Sequence, residues 1–154
     1  MKQENRFVAQ LYGYLAPFVN ADARVHLALD GEAAKRGVTE KLFHDPNVPD
    51  MWFTLVDGRT LHLEAKLMSW KNGFSVGTAQ LRAWLDPGNG KHKPTGWVLA
   101  REDRDDAFYY WPHKTIATCA VLKHQPKYWK IEAPTMEPVF SSVRELALHI
   151  LRTA

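Results

Sequence analysis

The sequence predicts an α/β protein, a single central mixed β-sheet flanked by helices. Apolar residues recur at helical spacing near both ends of the chain and alternate with period two through its middle. The order of those patterns is helix, strands, helix, strands, helix, which is the order of a sheet covered by helices. All of it fits in 154 residues, a length that suits one domain (1–154) around one core. With 45% apolar and 24% charged residues the chain is an ordinary globule, which excludes disordered and fibrous classes.

The first helix is carried by Phe7, Leu11, Tyr14, Leu15 and Phe18, with Pro17 near its end. Glu4, three residues before Phe7 and seven before Leu11, falls on the same inward stripe. Residues 24–29 read as a strand stopped by Asp30-Gly31. The polar stretch to Asn47 contains Gly37, Asp45 and Pro46, which argue against long regular structure. Residues 51–56 and 60–67 form a hairpin around Asp57-Gly58, the strongest short-range turn signal in the chain. A loop rich in Lys and Gly leads to a helix over 75–85, broken by Asp86-Pro87-Gly88-Asn89-Gly90. Two further strands are expected at 96–101 and 107–111. Ser142 with Glu145 three residues on announces a last helix, whose apolar face is Val143, Leu146, Ala147, Ile150 and Leu151.

Several classes are disfavoured. No apolar run approaches the ~20 residues of a membrane helix. The N-terminus, polar and then amphipathic, lacks the pattern of a signal peptide, so a cytoplasmic location without membrane contact is expected. Cys119 is the only cysteine, so neither an intrachain disulfide nor a cysteine-based zinc site can form. The seven histidines show no ligand spacing, which speaks against zinc. A formal charge of +3 suits a polyanionic partner without requiring one.

The informative stretch is Pro49-Asp50, then thirteen residues, then Glu64-Ala65-Lys66. In the hairpin, Met51, Phe53 and Leu55 form one apolar row and Leu61, Leu63, Ala65 and Leu67 another. The two rows share a face only if paired residue numbers have an even sum. A two-residue Asp57-Gly58 turn pairs Val56 with Arg59, an odd sum that sets the rows on opposite faces. A three-residue loop over 56–58, with Gly58 left-handed in a bulge, pairs Leu55 with Arg59 instead. That register sets Asp50 opposite Glu64 with Lys66 on the same face. Two carboxylates and an ammonium on one patch suit Mg²⁺-assisted hydrolysis, since magnesium takes oxygen ligands, commonly one or two carboxylates with waters and substrate phosphate. A lone Glu-x-Lys would be only an exposed strand pair.

Pro49-Asp50, Glu64-Ala65-Lys66 on an alternating strand, and Gln80 on the next helix resemble the PD-(D/E)XK nuclease superfamily. Their order is similar to its virus-type replication-repair nuclease and Holliday-junction resolvase branches. The resemblance covers about residues 1–101. It implies a restriction-endonuclease-like core and a Mg²⁺-dependent nuclease, with Mn²⁺ able to substitute, that hydrolyses DNA in repair or recombination. It also implies a homodimer. Asp50 and Glu64 correspond to the metal-holding acids, Lys66 to the catalytic lysine, and the Ala65 carbonyl to a further ligand. Gln80 fits the glutamine of some branches and Glu4 the helical glutamate that often joins the site. Those branches carry tyrosine four residues after the glutamine, where this chain has Trp84. Two other readings stay open: a nucleic-acid-binding or assembly module that does not cut, and an RNA-processing nuclease.

Lys71, Arg82, Lys91 and Lys93 are candidate phosphate contacts, or equally a solvated surface. Trp52 and Trp84 either stack on unpaired bases or pack inside.

Overall fold

The alternation around Asp57-Gly58 becomes the hairpin at the heart of the main sheet. A computed structural model describes residues 3–20, 24–25, 49–68, 73–85, 93–119, 121–134 and 138–153. Strands β2 (Met51–Thr54) and β3 (Thr60–Met68) pair antiparallel with Met51 opposite Leu63 and Thr54 opposite Thr60, an even register throughout. The Leu55 N–H donates to the Arg59 carbonyl at 2.8 Å, and the Gly58 N–H to the Leu55 carbonyl at 2.9 Å. Gly58 has φ of 95°, so the three-residue loop and left-handed glycine expected from the sequence are present.

Met51, Phe53, Leu55, Leu61 and Leu63 are each no more than 3% exposed. A one-residue slip of either strand would turn that strand's apolar row away from the other's. At roughly 1.5–3 kcal/mol for each side chain displaced, that loss is a large part of the stability of a typical domain. Register is therefore fixed by burial. Arg59 reinforces it from the turn: its Nε meets Asp57 at 2.9 Å, and its Nη1 and Nη2 donate to the Ile150 (3.4 Å) and Leu151 carbonyls at the end of the last helix. Those carbonyls lack intrahelical partners, and a C-terminal cation suits them.

The main sheet has the order β1-β2-β3-β5-β6, where β1 is Arg24–Val25, β5 Gly96–Arg101 and β6 Phe108–Pro112. Among the described strands only the β3–β5 pair of this sheet is parallel, so the sheet is mixed. Of the strand expected at 24–29, residues 26–29 lie outside the described ones, as does the stretch to 48.

One face of this sheet packs on α1 (Gln3–Leu15), which a 3₁₀ turn at Ala16–Phe18 ends, and on the C-terminal helix, Val143–Thr153. That last helix is capped as its sequence indicates, with the Glu145 N–H donating to Ser142 Oγ at 3.1 Å. The reciprocal bond lands one residue early: the Glu145 carboxylate accepts from the Ser141 N–H and hydroxyl.

The other face is covered by structure that the sequence left largely unread. A second, three-stranded sheet of order β4-β8-β7 contains β4 (Gly73–Gly77), β7 (Val121–His124) and β8 (Tyr128–Glu132). Helix α2 spans Thr78–Leu85 and α3 spans His113–Ala117; the C-terminal helix is α4. The helix expected from Ser75 therefore begins three residues later. Phe74 and Val76 alternate with Gly73, Ser75 and Gly77 and pair with β8 along its whole length, which overrides the weak helical pattern. Phe74, Val76, Trp84, Trp97, Tyr109, Trp111 and Ile131 form this side's core.

Two substitutions test the positions where geometry demands glycine. Gly58→Val should cost roughly 1–3 kcal/mol through its positive φ and displace Glu64 from Asp50. Gly96→Ala would drive a Cβ into the buried Tyr110 ring, its Cζ 2.6 Å away, and should cost about 1–3 kcal/mol by overpacking. Urea denaturation of both variants checks these outcomes; wild-type midpoints would contradict them.

Candidate active site

Continuing the β2–β3 register by one pair places Asp50 opposite Glu64. The ladder ends at Met51, and the two carboxylates complete it with their own oxygens. The Asp50 N–H donates to Glu64 Oε1 at 3.1 Å, while the Ala65 N–H donates to Asp50 Oδ2 at 2.8 Å. Each acid is thus held by the other's strand. Lys66, two residues along the same face, sets its Nζ 3.3 Å from Glu64 Oε2 and donates to Gln80 Oε1 at 3.2 Å. Gln80 comes from the first turn of α2, which β4 delivers across the sheet. The patch therefore joins the hairpin to the covering layer.

Glu64 is only 2% exposed, an unusual place for a carboxylate. Burial, together with the like charge of Asp50, pushes its carboxyl well above the ordinary range against the opposing pull of Lys66. Burial alone would lower the Lys66 ammonium, but Glu64, Asp50 and Glu4 outweigh it and raise its pKa. An ammonium in that position can donate hydrogen bonds and stabilise negative charge. Glu4, half-buried in the first turn of α1, reaches the site through its field on both groups.

The Lys66 ammonium thus stands beside the Glu64 carboxylate, with Asp50 and Glu4 in electrostatic range. A hard divalent cation fits such an oxygen donor set. Among the described residues no three His, Cys, Asp or Glu side chains converge on one point, so Asp50 and Glu64 would be the side-chain ligands.

Of the other residues singled out in the sequence, Arg82 is exposed on α2. Lys93 is half-buried, and its carbonyl accepts from His62 Nδ1 at 3.2 Å. Lys71 and Lys91 lie outside the described residues. Trp84 is 1% exposed and meets Trp97 edge-on at 5.5 Å, so it packs in the core and is not a stacking platform. Trp52 is half-buried on the site's face, its ring 4.8 Å from that of His62.

Sequence reasoning gave no role to β8, although it ends against the helix that carries Gln80: the Thr78 N–H donates to the Lys127 carbonyl at 3.2 Å. The available signal was compositional. Residues 113–130 contain four lysines and no acid.

No family model matches the chain, and no curated protein matches its sequence. Among the described residues no helix is long and apolar enough to cross a membrane. The fold is similar to that of the Holliday junction resolvase Hjc of Archaeoglobus fulgidus, with a TM-score of 0.49 and 15% identity, over 95% of this chain and 96% of that one.

Proposed function

We propose that this protein is a Mg²⁺-dependent endonuclease that hydrolyses phosphodiester bonds in DNA, with branched or junction DNA as its preferred substrate. The observation that carries this reading is the juxtaposition of Asp50 and Glu64 in one buried patch with the cationic Lys66. Asp50 and Glu64 would hold the ion, with the Ala65 carbonyl as a further ligand. Mg²⁺ there would supply Lewis-acid polarisation of the phosphoryl group and a more acidic water. Lys66 meets the charge that develops on the phosphate, as a fixed donor whose position costs no reorganisation during reaction. Gln80 Oε1 accepts a hydrogen bond from the Lys66 ammonium at 3.2 Å, so its direction is set before substrate arrives. Burial strengthens each of these interactions relative to water. A homodimer, with two sites to address two strands, suits such a substrate.

Asp50→Asn and Glu64→Gln should each abolish cleavage without unfolding the protein. DNA binding should persist or tighten, because a carboxylate that repels phosphate is gone. Lys66→Ala should lose most activity and keep its divalent cation. Labelled junction, flap, duplex and single-stranded DNA, with RNA beside them, tests this with Mg²⁺, with Mn²⁺ and with chelator. Wild-type cleavage by either carboxylate variant overturns the site. Binding without cleavage by the wild type would favour a non-cutting module, and preferential cleavage of RNA would favour RNA processing.

The buried carboxyl adds a stability signature. The folded-state pKa of Glu64 lies above its ordinary value of 4.5, so the cation-free fold binds a proton that the unfolded chain releases. Stability should be fullest below that ordinary value and fall as pH rises through the raised one. Mg²⁺ binding should restore it there. Glu64→Gln should melt higher than wild type without cation at neutral pH and gain less from Mg²⁺. Melting temperatures across pH, with and without Mg²⁺, decide the matter; a wild type indifferent to Mg²⁺ would count against it.

A further inference from the structure

The outer face of the second sheet leads directly into the candidate active site. Along β4, Phe74 and Val76 point into the core, so Gly73, Ser75 and Gly77 form the opposite row, in which Gly73 is buried and Ser75 and Gly77 are half-buried. That row is nearly without side chains. At its end, a Cβ on Gly77 would lie 3.6 Å from Gln80 Oε1, the atom that accepts from Lys66. The glycine face therefore looks onto the space in which Gln80 and Lys66 meet.

The neighbouring strand supplies the opposite character. On β8, Trp129 and Ile131 face the core, and Tyr128, Lys130 and Glu132 face out. Tyr128 sits opposite Gly77 and is 40% exposed. Lys130 sits opposite Ser75 and donates to its hydroxyl at 3.3 Å. Lys127, exposed at the start of β8, is bonded through its carbonyl to the Thr78 N–H, two residues before Gln80. Glu132, opposite Gly73, stands at the end of the face remote from Gln80.

We propose that this face is the track along which a DNA strand reaches the site. Lys127 and Lys130 contact its phosphates, Tyr128 stacks on an unpaired base, and the Gly-Ser-Gly row lets the backbone lie close to the sheet. The occupant follows from charge complementarity. Lys127 and Lys130 stand on the approach to a patch that gathers Asp50 and Glu64, and a polyanion needs such a cationic approach to come near paired carboxylates. The inference rests on the phosphodiesterase reading above and names the strand path that this reading lacks.

Binding to a single-stranded and a branched DNA is measured in the full chain carrying Asp50→Asn, so that cleavage does not intervene. Lys127→Ala with Lys130→Gln should reduce the slope of log affinity against log salt by about two units on branched DNA. Lys130→Arg should keep the slope. Tyr128→Ala should weaken single-strand binding by about tenfold or more, and Tyr128→Phe should not. Arg152→Ala, on α4 at the opposite face of the main sheet, is the control and should change nothing. Thermal melting establishes that each variant is folded. An unchanged slope in the folded double variant overturns the track, and so does an equal effect of Arg152→Ala. If the wild type cuts DNA while the slope is unchanged, hydrolysis stands and the track fails. If it cuts nothing while the slope still falls, the track stands and hydrolysis fails.

Discussion

The loop over 56–58 places three residues between Leu55 and Arg59, and that count decides which side chains of β2 and β3 share a face. With it, Met51, Phe53, Leu55, Leu61 and Leu63 are buried together, and Asp50, Glu64 and Lys66 are gathered on the reverse side. The apolar burial is the larger energy by far, so the polar residues have no say in the register. They are carried into place by it. Arg59 ties the same loop to the end of α4, so the hairpin is fastened both by its core face and by its turn.

On the reverse side the forces run the other way. Glu64 is deprived of water, faces Asp50 and receives only a share of one ammonium. Nothing in packing requires a carboxylate there, and a neutral side chain of similar shape would suit the cation-free fold better. The mutual backbone bonds of Asp50 and Glu64 hold the arrangement against that cost. The charged patch and the apolar core thus occupy opposite faces of one strand, and burial on one face offsets the cost of the charges on the other.

Much of this was legible in the sequence, and the reason is locality. The hairpin, its bulged glycine and the α4 cap are each specified by residues within a few positions of one another. So Gly58, Ser142 and the parity of the apolar rows could be read directly. Asp50, Glu64 and Lys66 were legible as one patch because the register joins them. The second sheet was not. β4 and β8 are separated by more than forty residues, β4 is short and half glycine or serine, and its Phe74-x-Val76 pattern gains meaning only when Ile131 and Trp129 arrive opposite. The same remoteness made the helix over 78–85 seem to begin at Ser75, and it hid the nearness of Lys127 to Gln80. Trp84, which a sequence leaves free to stack or to pack, was settled by Trp97 from another strand.

The odd length of the hairpin loop also limits how this lineage can vary. A one-residue insertion or deletion within 56–58 would exchange the two faces of β3 wholesale, turning the leucine row away from the helix-packed core and Glu64 and Lys66 into it. Two inserted residues would keep both faces where they are. Divergent proteins that share this site should therefore differ in loop length by even numbers, or carry a compensating bulge elsewhere in the hairpin. Length parity, a discrete property, would then survive long after residue identity has drifted past recognition.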